Sequence, residues 1–168
     1  MTARAINVLI IAVIAAIATW LATFSGLTAW VIFLSWLSYF VFGTTTRAAA
    51  FATAQILLGL LVGVGILLVT ALFAPALGDF ALGASVALFA GLLTLLEDRP
   101  PLNVIPAYYI GAVTLFASGL EPTLMSVVQL AVPVLVGFGF GWLTVTVRAA
   151  ADRARQAEAP TGAPALDR

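Results

Sequence analysis

Gln55-Ile-Leu-Leu-Gly59-Leu-Leu61-Val62-Gly63-Val-Gly65 returns 74 positions later as Gln129-Leu-Ala-Val-Pro133-Val-Leu135-Val136-Gly137-Phe-Gly139. Gln, Leu, Val, Gly and Gly recur without a gap, and Gly59 and Pro133 take the same slot. Self-similarity at a fixed period is the signature of a repeated structural unit, so the chain is read as two copies of one unit. Each copy of the motif lies in a long apolar run, and these runs set the fold.

Of 168 residues, 63% are hydrophobic and 8% charged, and the mean hydropathy is +1.17. That composition belongs to a membrane protein. The apolar residues fall into runs separated by short polar breaks, as expected for one bundle of spanning helices. Lys, His and Cys are absent, which rules out disulfides and removes the commonest metal ligands and catalytic bases. No cofactor, metal site or enzymatic centre is expected. With zero net charge and no basic cluster before the C-terminal tail, nucleic acid is not an expected partner either.

Taken outward from the repeat, the runs are Ala5 to about Phe24, Thr28 to Gly43, and about Ala50 to Phe73 in the first unit. The second unit has Phe80 to Leu96, Asn103 to Gly119, and Leu124 to about Val147. The first run, about 20 residues, supplies the roughly 30 Å that a bilayer core requires. Another apolar run follows it almost at once, so the start is read as structure and not as a signal peptide. Each unit therefore reads as a medium, a short and a long helix. After Arg148 the chain turns to Arg, Asp, Gln, Glu, Ala, Pro and Gly, where Ala149 to Ala157 can extend the last helix and the tail past about Glu158 is expected to be disordered.

Six spans place Arg4, Arg47, Arg99, Arg148, Arg153 and Arg155 on one side and leave only Asp79 and Glu121 on the other. By the positive-inside rule that side, with both termini, is the cytoplasm. Three spans per unit is an odd number, so the two copies enter the membrane in opposite directions. The expected fold is an all-α membrane protein of six transmembrane helices in two inverted three-helix repeats, about 5–73 and 80–147, within a domain covering 1–148 and followed by a cytoplasmic tail, 149–168.

The candidate residues follow from that frame. Gly59 with Gly63, and Gly137 with Gly141, make smooth stripes suited to close helix packing, and the third and sixth helices are expected to cross near the pseudo-two-fold axis. Gln55 and Gln129 need a partner, because an unpaired polar group in hydrocarbon costs several kcal/mol. Each is either interhelical glue or a polar contact for a solute. Asn7 and Asn103 stand near helix starts as caps or interfacial groups. The second helix of each unit is short for a span, and matching short or Pro-interrupted spans in two inverted halves point to a substrate path. Tyr109 and Thr114 follow Pro106 in the fifth helix, while Trp30, Phe33, Trp36 and Phe40 form a stripe in the second that either packs against neighbours or sets the width of a conduit. The candidate path is thus Gln55, Gln129, Tyr109, Thr114, Trp36 and Phe40. No Asp, Glu or Arg falls inside a span, which argues against proton or ion coupling.

Leu27-Thr-Ala-Trp30-Val-Ile-Phe33 with Tyr39-Phe40, and Ile105-Pro106 with Tyr109-Ile110-Gly111-Ala112 and Thr114-Leu-Phe116-Ala117, are similar to the bacterial inner-membrane family known as domain of unknown function 1097 (DUF1097). The resemblance covers roughly residues 5 to 147. It implies a small polytopic membrane protein and no particular substrate or catalytic residue. The expected function is a passive channel or facilitator in the bacterial inner membrane for a small uncharged or weakly polar solute. The alternative is a non-transporting membrane subunit that docks a partner protein, and self-association is left open.

Overall fold

The computed structural model describes residues 3–42 and 45–158. They form α1 (Ala3–Ser25), α2 (Ala29–Phe42), α3 (Thr46–Leu77), a single 3-10 turn at Gly78–Phe80, α4 (Ala81–Thr94), α5 (Ile105–Ser118) and α6 (Leu124–Glu158). No strand occurs among the described residues. Gly43, expected to close the second helix, and the tail past Glu158, expected to be disordered, lie outside the described residues.

The boundaries have local causes. Thr45 caps α3: its side chain accepts from the Ala48 N–H at 3.2 Å, which satisfies one of the orphan donors of the first turn. Pro75 sits inside α3, so the helix runs past its expected end at Phe73 and stops at Gly78. That glycine has φ +52°, a conformation other residues resist. Asn103 does not cap α5, whose N-cap residue is Val104 with no side-chain bond. Asn7 lies within α1, and its Oδ1 accepts from the Arg148 Nε at 3.4 Å. Thr123 takes the capping role before α6, accepting from the Ser126 N–H at 3.2 Å.

Arg4–Ser25, Thr46–Thr94 and Leu124–Ala157 are long and apolar enough to cross a membrane. The middle stretch holds 49 residues, about 74 Å if straight, and instead folds back at Gly78 so that α4 lies along α3. α2 and α5, at 14 residues each, reach only about 21 Å.

Four helices make the centre. Val31 and Tyr39 of α2, Ala52, Ile56 and Leu60 of α3, Ala107 and Leu115 of α5, and Leu130, Val134 and Phe138 of α6 form one buried cluster. α1 covers α2 and α6 through Ile14, Ala18 and Ala22, beside Ile32, Trp36 and Phe140. α4 covers α3 and α5, with Leu93 against Ile105 and Tyr108. The outer surface is apolar too, with Phe24 86%, Leu72 74% and Trp20 61% exposed, which suits a lipid surround far better than water.

Four interior hydroxyls are satisfied within their own helices. Ser38 donates to Leu34 O, Ser85 to Ala81 O, Thr114 to Ile110 O and Thr144 to Phe140 O, at 2.7–2.9 Å. This back-bonding to the preceding turn lets a hydroxyl enter an apolar bundle without an orphaned donor.

Candidate functional site

The glycines decide which helices approach closely. A Cβ on Gly59 would run into the Tyr108 carbonyl of α5, and one on Gly111 into the Ile56 carbonyl of α3. Across the other pair, a Cβ on Gly137 would strike the Ile32 carbonyl and lie 2.6 Å from Ser35 Cβ, and one on Gly141 would lie 2.5 Å from Tyr39 Cβ. Gly63 is looser, 3.1 Å from Ala112 Cα and from a Leu115 methyl. The stripes on the long helices therefore receive the short helices: α3 takes α5, and α6 takes α2. α3 and α6 also touch, but the glycine-mediated approach is not between them.

Gln55 is fully buried at 1% exposure. Its Nε2 donates to the Pro101 carbonyl at 2.6 Å, and its Oε1 accepts from the Val104 N–H at 3.0 Å. Both ends of the amide are thus engaged by the connection that leads into α5. Gln129, its sequence counterpart, is exposed and lines a cavity of about 340 Å³ with Gly26, Leu27, Thr28, Leu120, Leu130 and Val132. A second cavity, of about 250 Å³, lies between Tyr39, Thr46, Thr53, Phe138 and Trp142. The two flank the α2–α6 seam, one at the N-terminal end of α2 and one at its C-terminal end, and between them the Gly137 contact with Ile32 and Ser35 closes the seam.

The remaining predicted path residues do not share one chamber. Trp36 is buried at 7% exposure, stacked on Phe33 at 5.9 Å and tilted against Phe140 at 6.1 Å. Its indole N–H has no acceptor among the described residues. Phe40, Phe33 and Trp30 are 43%, 38% and 40% exposed, so the aromatic stripe divides, with Trp36 at its inner edge. Thr114 is buried and bonded to Ile110 O, whereas Tyr109 is 40% exposed. Its neighbour Tyr108, outside the candidate path, is buried and donates to Leu102 O at 3.3 Å.

The geometry offers neutral donors and acceptors, and among the described residues no cluster of three or more acidic, His or Cys side chains is placed to hold a metal ion. Comparison with known proteins agrees in being sparse, since no curated protein and no solved structure matches. Residues 8–147, from α1 into α6, match the family described as "Protein of unknown function (DUF1097)". The resemblance carried by Leu27–Phe33 and Tyr109–Ala112 is confirmed by that match, and the chain belongs to the DUF1097 family.

Proposed function

We propose that this protein crosses the bacterial inner membrane six times as two inverted three-helix repeats, with both termini cytoplasmic, and lets a small uncharged solute pass without ion coupling. The observation that carries the reading is the chemistry of the interior. Every buried polar side chain among the described residues is neutral: Ser35, Ser38, Gln55, Ser85, Thr114, Ser126 and Thr144. A carrier driven by protons or ions places an acidic or basic group at depth, whereas a neutral solute needs only uncharged polar groups.

Two features support the repeat. Exchanging α1 with α4, α2 with α5 and α3 with α6 turns the α3–α5 contact into α6–α2 and the α3–α4 contact into α6–α1, all of which exist. The connections also sort into two ends. Gly26–Thr28 and Leu120 meet at one cavity, and Leu82, Gly119 and Leu120 at another of about 510 Å³. Toward the other end, Asn7 of α1 bonds Arg148 of α6, and Gln55 of α3 bonds Pro101 of the connection before α5. The cavities at the two ends of the α2–α6 seam favour that seam as the passage in a state closed at Gly137.

A second reading, a subunit that docks another membrane helix, is favoured by α4. Gly83, Ala87 and Gly91 lie exposed on one side of it, and no atom stands within 4 Å of a Cβ built on either glycine. Such a stripe admits close approach of a second helix. The experiment that separates the readings is shrink–swell flux of urea, acetamide, glycerol and ammonia into proteoliposomes. Flux above that of empty vesicles, unchanged by pH or potential, supports the facilitator. Its absence for all four solutes, with the protein folded, favours the docking subunit.

A further inference from the structure

Gln55 and Gln129 hold the same place in the two repeats and meet different surroundings. The segment between α4 and α5, residues 95–104, is long enough to fold back over α3 and bring the Pro101 carbonyl and the Val104 N–H to Gln55. The matching connection between α1 and α2 has only Gly26, Leu27 and Thr28. Thr28, directly before α2, corresponds to Val104, directly before α5, yet no bond from this connection reaches Gln129.

Gln129 makes no side-chain hydrogen bond among the described residues, and its amide borders the 340 Å³ cavity among Leu27, Leu120, Leu130 and Val132. Pro133, one helical turn on, has no N–H to give the Gln129 main-chain carbonyl. The acceptor and the two N–H donors of the Gln129 side chain are therefore left without protein partners at an apolar-walled hollow, where hydrocarbon cannot satisfy them. The volume lies within the range of small-molecule sites, and the lining contains no charge.

We propose that this cavity binds a small neutral amide of the carboxamide and urea class. The ligand takes the part that Pro101 C=O and Val104 N–H play at Gln55: its carbonyl accepts from Gln129 Nε2, and its N–H donates to Gln129 Oε1. A primary amide or urea presents these two groups side by side on one edge, so one molecule answers both ends of the side chain. A ketone answers one end only. The site rests on the facilitator reading, for which it names the solute class and a docking point at the mouth of the α2–α6 seam.

The test uses the full chain in nanodiscs, with acetamide and acetone as probes and saturation-transfer NMR as the readout. Gln129 is exposed and unbonded, so Gln129→Leu and Gln129→Asn should fold, as thermal unfolding can verify. Acetamide should bind the wild type, bind Gln129→Leu at least about tenfold more weakly, and regain affinity in Gln129→Asn, while acetone should be indifferent to all three. Equal acetamide binding by wild type and Gln129→Leu overturns the site, as does no binding by the wild type. Efficient disulfide dimerisation of Gln129→Cys in the membrane also overturns it, because a second copy would then fill the hollow. Acetamide flux in proteoliposomes that is the same for wild type and Gln129→Leu defeats the site and leaves the facilitator standing. Binding that depends on Gln129, with no flux, upholds the site and defeats the facilitator.

Discussion

Adding one methyl group to Gly59 is the sharpest perturbation the structure offers. In Gly59→Ala the new Cβ would overlap the Tyr108 carbonyl and lie 2.8 Å from that residue's Cα and C. These are backbone atoms, so no rotamer change relieves the clash, and the gap must open to the 3.4 Å at which ordinary contact begins. Moving α5 as a body would also lengthen the 3.0 Å bond that the N–H of Val104, its N-cap residue, donates to Gln55. Overpacking of this kind costs about 1–3 kcal/mol, or about 3–10 °C of melting temperature for a chain of this length. Gly111→Ala meets the Ile56 carbonyl from the opposite side and should lose a similar amount. Gly63→Ala, at 3.1 Å from its neighbours, should lose less. Gly83→Ala meets nothing within 4 Å and should be neutral or gain up to about 1 kcal/mol from helix propensity. Thermal unfolding of the four variants in one detergent gives the ranking. Equal stability of Gly59→Ala and Gly83→Ala would refute the close α3–α5 crossing.

Gln55→Leu should leave the Pro101 carbonyl and the Val104 N–H buried without partners, costing about 1–3 kcal/mol, and should speed hydrogen exchange at the Val104 amide. Gln129→Leu, made at the unbonded counterpart, should leave the melting temperature within about 2 °C of wild type, since exposed positions free of contacts shift stability by only about 0.5 kcal/mol. Thr45→Ala should remove the bond to the Ala48 N–H and lower stability by about 1 kcal/mol, which denaturant titration in mixed micelles can detect.

Helix order and the long, apolar character of α1, α3 and α6 were legible because length and hydrophobicity are local properties. The glycine stripes were legible as smooth faces, but a stripe does not say what meets it. Gly59 and Gly63 face α5 because α5 carries its own gap at Gly111 and a small residue at Ala112, whereas Pro133 stands where α6 would need a second glycine. The two glutamines look alike in sequence. Their difference comes from the connections before α5 and α2, and a segment spanning 95–104 set against 26–28 was a readable sign that only one could fold back. Trp36 falls on the same helical stripe as Phe33 and Phe40, and its turn inward depends on Phe140 of α6 and on α1 covering that edge. The cap at Thr45 is not legible in sequence, because a cap and a polar connection use the same amino acids.

The inverted repeat stands or falls on whether α4, only 14 residues long, crosses the bilayer. The chain has no native cysteine, so Asp79→Cys, before α4, and Arg99→Cys, after it, can be labelled with an impermeant maleimide in whole cells and in inverted vesicles. Asp79→Cys should react only from outside and Arg99→Cys only from the cytoplasm. Labelling of both from the same side would mean that α4 does not cross and that the two halves are not related by inversion.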